Sequence, residues 1–202
     1  MPASVTVIDY QAGNIPSVTK ALRACGADVR IAATPDDLRF AAHIVLPGVG
    51  HFSATRVLHE SGMADAIRER VSAGSPFLGI CVGLQWLFEG STEAPETHGL
   101  SVFPGTCDRF PGTVKSPHVG WNSIERVRPS RILCDIPDPC FVYFTHSYSA
   151  PMIEATVAST NYGRQFTAAA ERDNWMAVQF HPEKSGEAGL QILRNFLEVP
   201  RC

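Results

Sequence analysis

The segment Phe77-Leu78-Gly79-Ile80-Cys81-Val82-Gly83-Leu84-Gln85 places a thiol between two glycines, where an apolar strand pattern gives way to a helix start. That G-x-C-x-G spacing is the cysteine version of a nucleophile elbow. The chain turns so sharply there that side chains two positions away would collide, and glycines at 79 and 83 relieve the crowding. The turn also sets Cys81 at a helix N-terminus, whose dipole favours thiolate over thiol. Read alone, the same residues also describe a buried cysteine with two packing glycines. A thiolate attacking an amide needs donors for the oxyanion. The elbow offers the backbone N–H of Val82, and the loop Pro47-Gly48-Val49-Gly50, which comes after an earlier strand, can offer a second from Val49 or Gly50. That loop is equally compatible with a plain strand-to-helix turn.

Such a nucleophile also needs a base. Of the seven histidines, His181 stands at the end of a strand pattern and is followed by Pro182-Glu183. Proline holds the preceding residue extended, so the imidazole is expected to point off the strand end. Glu183 can fold back to the other ring nitrogen and fix the tautomer. Cys81, His181 and Glu183 then form a Cys-His-Glu triad. His118 and His146 are the rival bases. Neither has a carboxylate within five residues downstream, and both are expected to be loop or interface residues.

The elements that must position these groups emerge from periodicity and punctuation. In the first half, strand-like and helix-like segments alternate as in a parallel sheet: strands at 5–10, 29–32, 44–46 and 77–80, helices at 15–25, 63–73 and 82–88, and a short helix capped by Thr34 with Pro35 at its first position. Between residues 90 and 131 dense prolines and glycines suggest turns and hairpins. Strands are expected at 141–145, 166–171 and 175–180, the last two joined by a tight hairpin at Arg172-Asp173-Asn174, and an amphipathic helix at 186–197. No linker is visible. The expected fold is one α/β domain over residues 1–202, with a central mixed, mostly parallel sheet flanked by helices and a small antiparallel portion in the second half.

Composition narrows the function classes. A net charge of -3 with scattered Lys and Arg gives no footprint for nucleic acid or an anionic membrane. The N-terminus has no signal-peptide pattern and no apolar run reaches membrane-spanning length, so a soluble cytoplasmic protein is expected. No cysteine pair of Cys25, Cys81, Cys107, Cys134, Cys140 and Cys202 has C-x-x-C spacing, so free thiols and no metal are expected. With no phosphate-binding loop, dinucleotide fingerprint or metal cluster, no cofactor is expected either.

The motifs resemble those of the class I, triad-type glutamine amidotransferases, and within them the glutaminase subunits of imidazole glycerol phosphate synthase. The resemblance is carried by Pro47 to Gly50, Gly79 to Gln85, Pro117-His118-Val119-Gly120-Trp121-Asn122, Tyr143 to Tyr148, and Gln179-Phe180-His181-Pro182-Glu183-Lys184-Ser185. Together these span most of the chain. The resemblance implies a flavodoxin-like fold, the triad named above, and contacts to a glutamine substrate from Gln85, Gly48 and the Ser147-Tyr148 backbone. It further implies an oxyanion strand at 47–50 that reorients when the partner's ligand binds, and a partner-facing set of Asn14, Trp121, Asn122, Tyr143 and Lys184. The implied partner is a (β/α)8-barrel cyclase in a heterodimer. One departure is visible: Asp9-Tyr10-Gln11-Ala12-Gly13-Asn14 carries Gln11 where the family has glycine.

The chemistry independently calls for a second protein. Ammonia released into neutral water is protonated and loses its nucleophilicity, yet this chain carries no second site to consume it. Rival readings are the glutaminase of an anthranilate, aminodeoxychorismate, GMP or pyridoxal phosphate synthase, a stand-alone γ-glutamyl hydrolase or peptidase that would be active alone, and a binding module that has lost its chemistry.

Overall fold

A computed structural model describes residues 2–200. Cys202, expected as a free thiol, lies outside the described residues. The first half supplies strand β1 (Ser4–Ile8), helix α1 (Ile15–Ala24), β2 (Asp28–Ala32), β3 (His43–Gly48), helices α2 (Arg56–Glu60) and α3 (Met63–Ser72), and β4 (Phe77–Cys81), which runs straight into α4 (Val82–Trp86). The second half supplies β5 (Gly90–Ser91), β6 (Thr106–Arg109), β7 (His118–Arg126), β8 (Cys140–His146), β9 (Tyr148–Ser149), β10 (Thr156–Asn161), β11 (Gln165–Arg172), β12 (Trp175–Val178) and helix α5 (Gly186–Glu198).

The main sheet has nine strands in the order β2-β1-β3-β4-β12-β11-β10-β7-β8. From β2 to β12 the neighbours are parallel. From β12 to β8 they are antiparallel. Strands β3 and β4 are buried along their whole length, as apolar runs covered on both faces require. A smaller sheet, β5-β6-β9, lies outside. One hydrophobic cluster extends from Val5 to Val199.

The pairing that matters most for the site joins the two halves of the chain. Strand β12 lies parallel to β4, with Trp175 opposite Phe77 and Val178 opposite Ile80. Cys81 is the last residue of β4, and Gln179-Phe180-His181 comes directly after β12. A right-twisted parallel pair thus delivers both segments to the same carboxyl edge, where open α/β sheets bind ligands.

Several expectations change. Pro47 and Gly48 are not loop residues: β3 continues through them, opposite Ile80 and Cys81. The ladder with β1 ends at Val45, which leaves one side of β3 open at Pro47, the setting in which a strand tolerates proline. The antiparallel portion is also larger than turn chemistry suggests. The nine-residue β7 forms inside the region read as turns and hairpins, longer than the short segments expected there, and β10 has no sequence signal strong enough to mark it. His118 and His146 are not loop or interface residues. They face each other across β7 and β8, both buried, because that register turns them into the aromatic core.

Candidate active site

The site begins with the backbone of Cys81, which has φ 55° and ψ −106°. L-residues rarely adopt that conformation. The two glycines permit it. A Cβ on Gly79 would come within 2.5 Å of the Gly83 carbonyl oxygen, and one on Gly83 would come closer still to the Leu46 carbonyl oxygen. The elbow therefore depends on two close backbone approaches that no side chain could share. The thiol is buried, with Gln179 Nε2 donating toward Sγ at 3.6 Å.

His181 arrives extended before Pro182, at φ −100° and ψ 98°, as the residue before a proline should. Its Nδ1 hydrogen-bonds Glu183 Oε1 at 2.8 Å, and both side chains are 1% exposed. That leaves Nε2 on the side of Cys81, without a hydrogen bond of normal geometry, the looser arrangement common in unliganded catalytic pairs. Burial opposes charging of the ring. Hydrogen bonding and charge interaction with Cys81 and Glu183 outweigh it, and His181 is pushed up to about 10.

A cavity of about 240 Å³ opens on the thiol. Of the residues expected to bind substrate or oxyanion, Cys81, Val82, Val49, Gly50, Gln85, Ser147 and Tyr148 line it. Gly48 does not. It stands one step behind in β3, where a side chain would strike Val82 Cβ at 2.6 Å and Tyr10 Oη at 2.8 Å. Gln85 is buried, and its Nε2 donates to the Tyr148 carbonyl at 2.9 Å and to Gln179 Oε1 at 3.2 Å.

Four further lining residues, Glu93, Pro117, Thr145 and His146, have no cavity role in the sequence reading. Glu93 lines the cavity while its Oε2 accepts the Phe52 N–H at 2.7 Å, tying the cavity wall to the segment after Gly50. Its sequence surroundings, a turn-rich stretch, carry no motif that could mark it. Thr145 belongs to a motif already noted, without a role of its own. His146 donates from Nδ1 to the Tyr148 carbonyl at 2.8 Å, and burial pushes it down to about 3, with help from His118 and His181, so the ring is neutral. Gln179, which touches both Cys81 and Gln85, is visible in the sequence only as the first residue of its motif. Among the described residues no cluster of His, Cys, Asp or Glu could hold a metal.

The expected partner-facing residues divide. Trp121 and Tyr143 are opposite each other on β7 and β8 with ring centroids 6.1 Å apart, and Lys184 Nζ lies 5.8 Å from the Tyr143 ring. Asn122, one residue along the strand, points to the other face, and its Nδ2 donates to the Asn161 carbonyl at 3.0 Å. Asn14 is the half-buried residue before α1, with no side-chain capping bond.

The whole chain also matches known proteins. The family model described as glutamine amidotransferase class-I matches residues 6–199. Imidazole glycerol phosphate synthase subunit HisH of Methanothermobacter thermautotrophicus is 46% identical over 199 residues, covering 98% of this chain and 100% of that one. The chloroplastic imidazole glycerol phosphate synthase hisHF of Arabidopsis thaliana is 46% identical over 200 residues, covering 96% of this chain and 34% of that protein. Among solved structures, a glutamine amidotransferase superposes with a TM-score of 0.75 at 20% identity over 96% of this chain and 99% of that one. PurLQS from Thermotoga maritima superposes at 0.77 and 18% identity over 98% of each; these two likenesses speak to the fold alone. The chain belongs to the class-I glutamine amidotransferase family, in the group of the HisH subunits.

Proposed function

We propose that this chain is the glutaminase subunit of imidazole glycerol phosphate synthase in histidine biosynthesis, acting as a single domain with Cys81, His181 and Glu183 as its triad. The observation that carries the reading is the His181 imidazole, held by Glu183 at 2.8 Å on the side of a strained, buried Cys81 that opens on a cavity. The glutamine side chain enters that cavity. Sγ attacks the amide carbon as the thiolate, and the tetrahedral oxyanion is received by the Val82 N–H and by the Val49–Gly50 segment. His181 gives its proton to the departing nitrogen, releasing ammonia and leaving a γ-glutamyl thioester. Water, losing a proton to His181, then hydrolyses the thioester to glutamate and restores the thiol. Glu183 keeps the tautomer throughout.

Gln85 and the Ser147-Tyr148 backbone hold the α-amino acid end, Gly48 sets the wall behind them, and Glu93 is the carboxylate suited to the substrate's ammonium group. The ammonia is passed to a cyclase partner with a (β/α)8-barrel fold, docked on the face that carries Trp121, Tyr143 and Lys184, with Asn14 at its margin and Asn122 turned to the other side of the sheet. We also propose the cytoplasm as its location. Among the described residues five thiols are free, as a reducing compartment requires, and no helix is long and apolar enough to cross a membrane.

The test is a mixing assay. Glutamate release is expected to be weak from this chain alone and strong with the cyclase and its ligand. Full turnover by the isolated chain would reject partner gating and favour a stand-alone hydrolase. In parallel, a glutamine-mimicking electrophile should alkylate Cys81 before any other thiol.

A further inference from the structure

We infer that Ser185 is a positioning residue for His181, and that it ties the base to β8, the strand that displays Tyr143 beside Trp121 of β7; the coupling to a partner rests on the function proposed above. Ser185 precedes α5 and occupies its N-cap, where a serine hydroxyl ordinarily accepts a backbone N–H of the first turn. Here it makes no such bond. The residue is only 2% exposed, behind β8, and its hydroxyl turns the other way. It donates to the His181 carbonyl at 2.6 Å and accepts the Tyr143 N–H at 3.0 Å. The His181 N–H in turn donates to the Tyr143 carbonyl at 2.9 Å.

These three bonds close a ring between His181 and Tyr143, with Ser185 as its only side-chain member. Both backbone polar groups of Tyr143, on the edge strand β8, are thereby committed to holding the base. The Tyr143 side chain faces the opposite way from the core, beside Trp121 and Lys184. A displacement of β8 by anything that docks on this face must move the His181 backbone with it, since the alternative is to break buried hydrogen bonds. Two residues beyond Tyr143 the same strand enters the cavity wall at Thr145 and His146. Ser185 thus stands where the outer surface, the cavity wall and the base meet, and the imidazole's distance from Sγ depends on the bonds it makes.

The experiment compares Ser185→Ala and Ser185→Thr with the wild type, in complex with the cyclase and its ligand. Two readouts are the pH dependence of glutaminase kcat and KM, and the pH dependence of Cys81 alkylation by iodoacetamide. Loss of the hydroxyl is expected to lower kcat on the order of tenfold, because small misplacements of a base are costly, while KM stays within about twofold. The histidine-governed limb of both pH profiles should shift, and threonine, which keeps the hydroxyl, should restore them. Wild-type kcat and profiles in Ser185→Ala overturn the inference. So does a loss that tracks a lower melting temperature with both limbs unmoved. If Ser185→Ala does not fold, Ser185→Cys preserves volume while weakening both bonds, and is expected to show the same split; wild-type behaviour there overturns the inference. The alkylation profile reads the Cys81–His181 pair whatever the substrate is. A shifted profile in a protein whose wild type never hydrolyses glutamine supports the positioning role and rejects the glutaminase reading.

Discussion

Gln11 sits at φ 65°, and its N–H is held by Asp9 Oδ1 at 2.9 Å. Gln11 therefore occupies a backbone conformation that favours glycine and carries left-handed strain. That strain costs roughly 1–3 kcal/mol, partly offset by the lower unfolded-state entropy of a non-glycine residue. Gln11→Gly is expected to raise the unfolding free energy by up to about 1 kcal/mol, read by urea denaturation; a loss of stability would show that the side chain has a role in folding. Gly83 is the opposite case. With a new Cβ driven into the Leu46 carbonyl, Gly83→Ala is expected to cost about 3 kcal/mol or more and to abolish labelling of Cys81. A stable, reactive Gly83→Ala protein would contradict the close approach of α4 to β3.

At the scale of elements, the two strand pairs carry histidines of opposite character. His181, after β12, is raised from 6.5 to about 10, so its contribution to stability is full below about pH 6.5 and is lost as pH rises through about 10. Glu183→Gln is expected to lose stability relative to the wild type most between pH 5 and 6.5, with the gap narrowing toward pH 10. A gap that widens with pH would mean that the ring is not held charged. His118 and His146, on the β7–β8 pair, are lowered to about 4 and about 3, chiefly by burial. Their neutral rings contribute stability above pH 6.5, and that contribution is lost as pH falls through these values. His118 stacks on Tyr162 and Phe144 with centroids 4.0 and 4.9 Å away, so His118→Phe should keep the packing. Its unfolding free energy is expected to fall less steeply between pH 6.5 and 4 than that of the wild type.

At the scale of the molecule, the sheet has a parallel half, buried along β3 and β4, that makes the elbow and an antiparallel half that ends in an open face. Val119, Trp121 and Phe141 on that face are 56%, 56% and 62% exposed. A cluster of large apolar side chains of this kind marks an interaction surface. Trp121→Ala is expected to weaken cyclase binding by about 2 kcal/mol in calorimetric titration, as for a central aromatic anchor, and to leave Cys81 labelling intact. Asn122→Ala, on the opposite face, should cost much less. Equal losses would place the docking surface elsewhere.

What the sequence determined by itself was local. Glycines two residues either side of Cys81 and a proline after His181 dictate their own backbones through sterics, so the elbow, the extended histidine and its Glu183 partner were legible from a few adjacent letters. The alternation of the first half likewise announced a parallel sheet. Tertiary structure decided everything that depends on register. The β12–β4 pairing brings His181 to Cys81 across about a hundred residues, and no local rule sets which strand lies beside which. The β7–β8 register buries His118 and His146 and separates Trp121 from Asn122, because a strand's side chains alternate and pairing alone decides which face is the core. The roles of Glu93 and of Ser185, the latter visible only as the last residue of its motif, were unreadable for the same reason: each acts through a hydrogen bond to a residue about forty positions away, and such bonds exist only once the sheet has assembled.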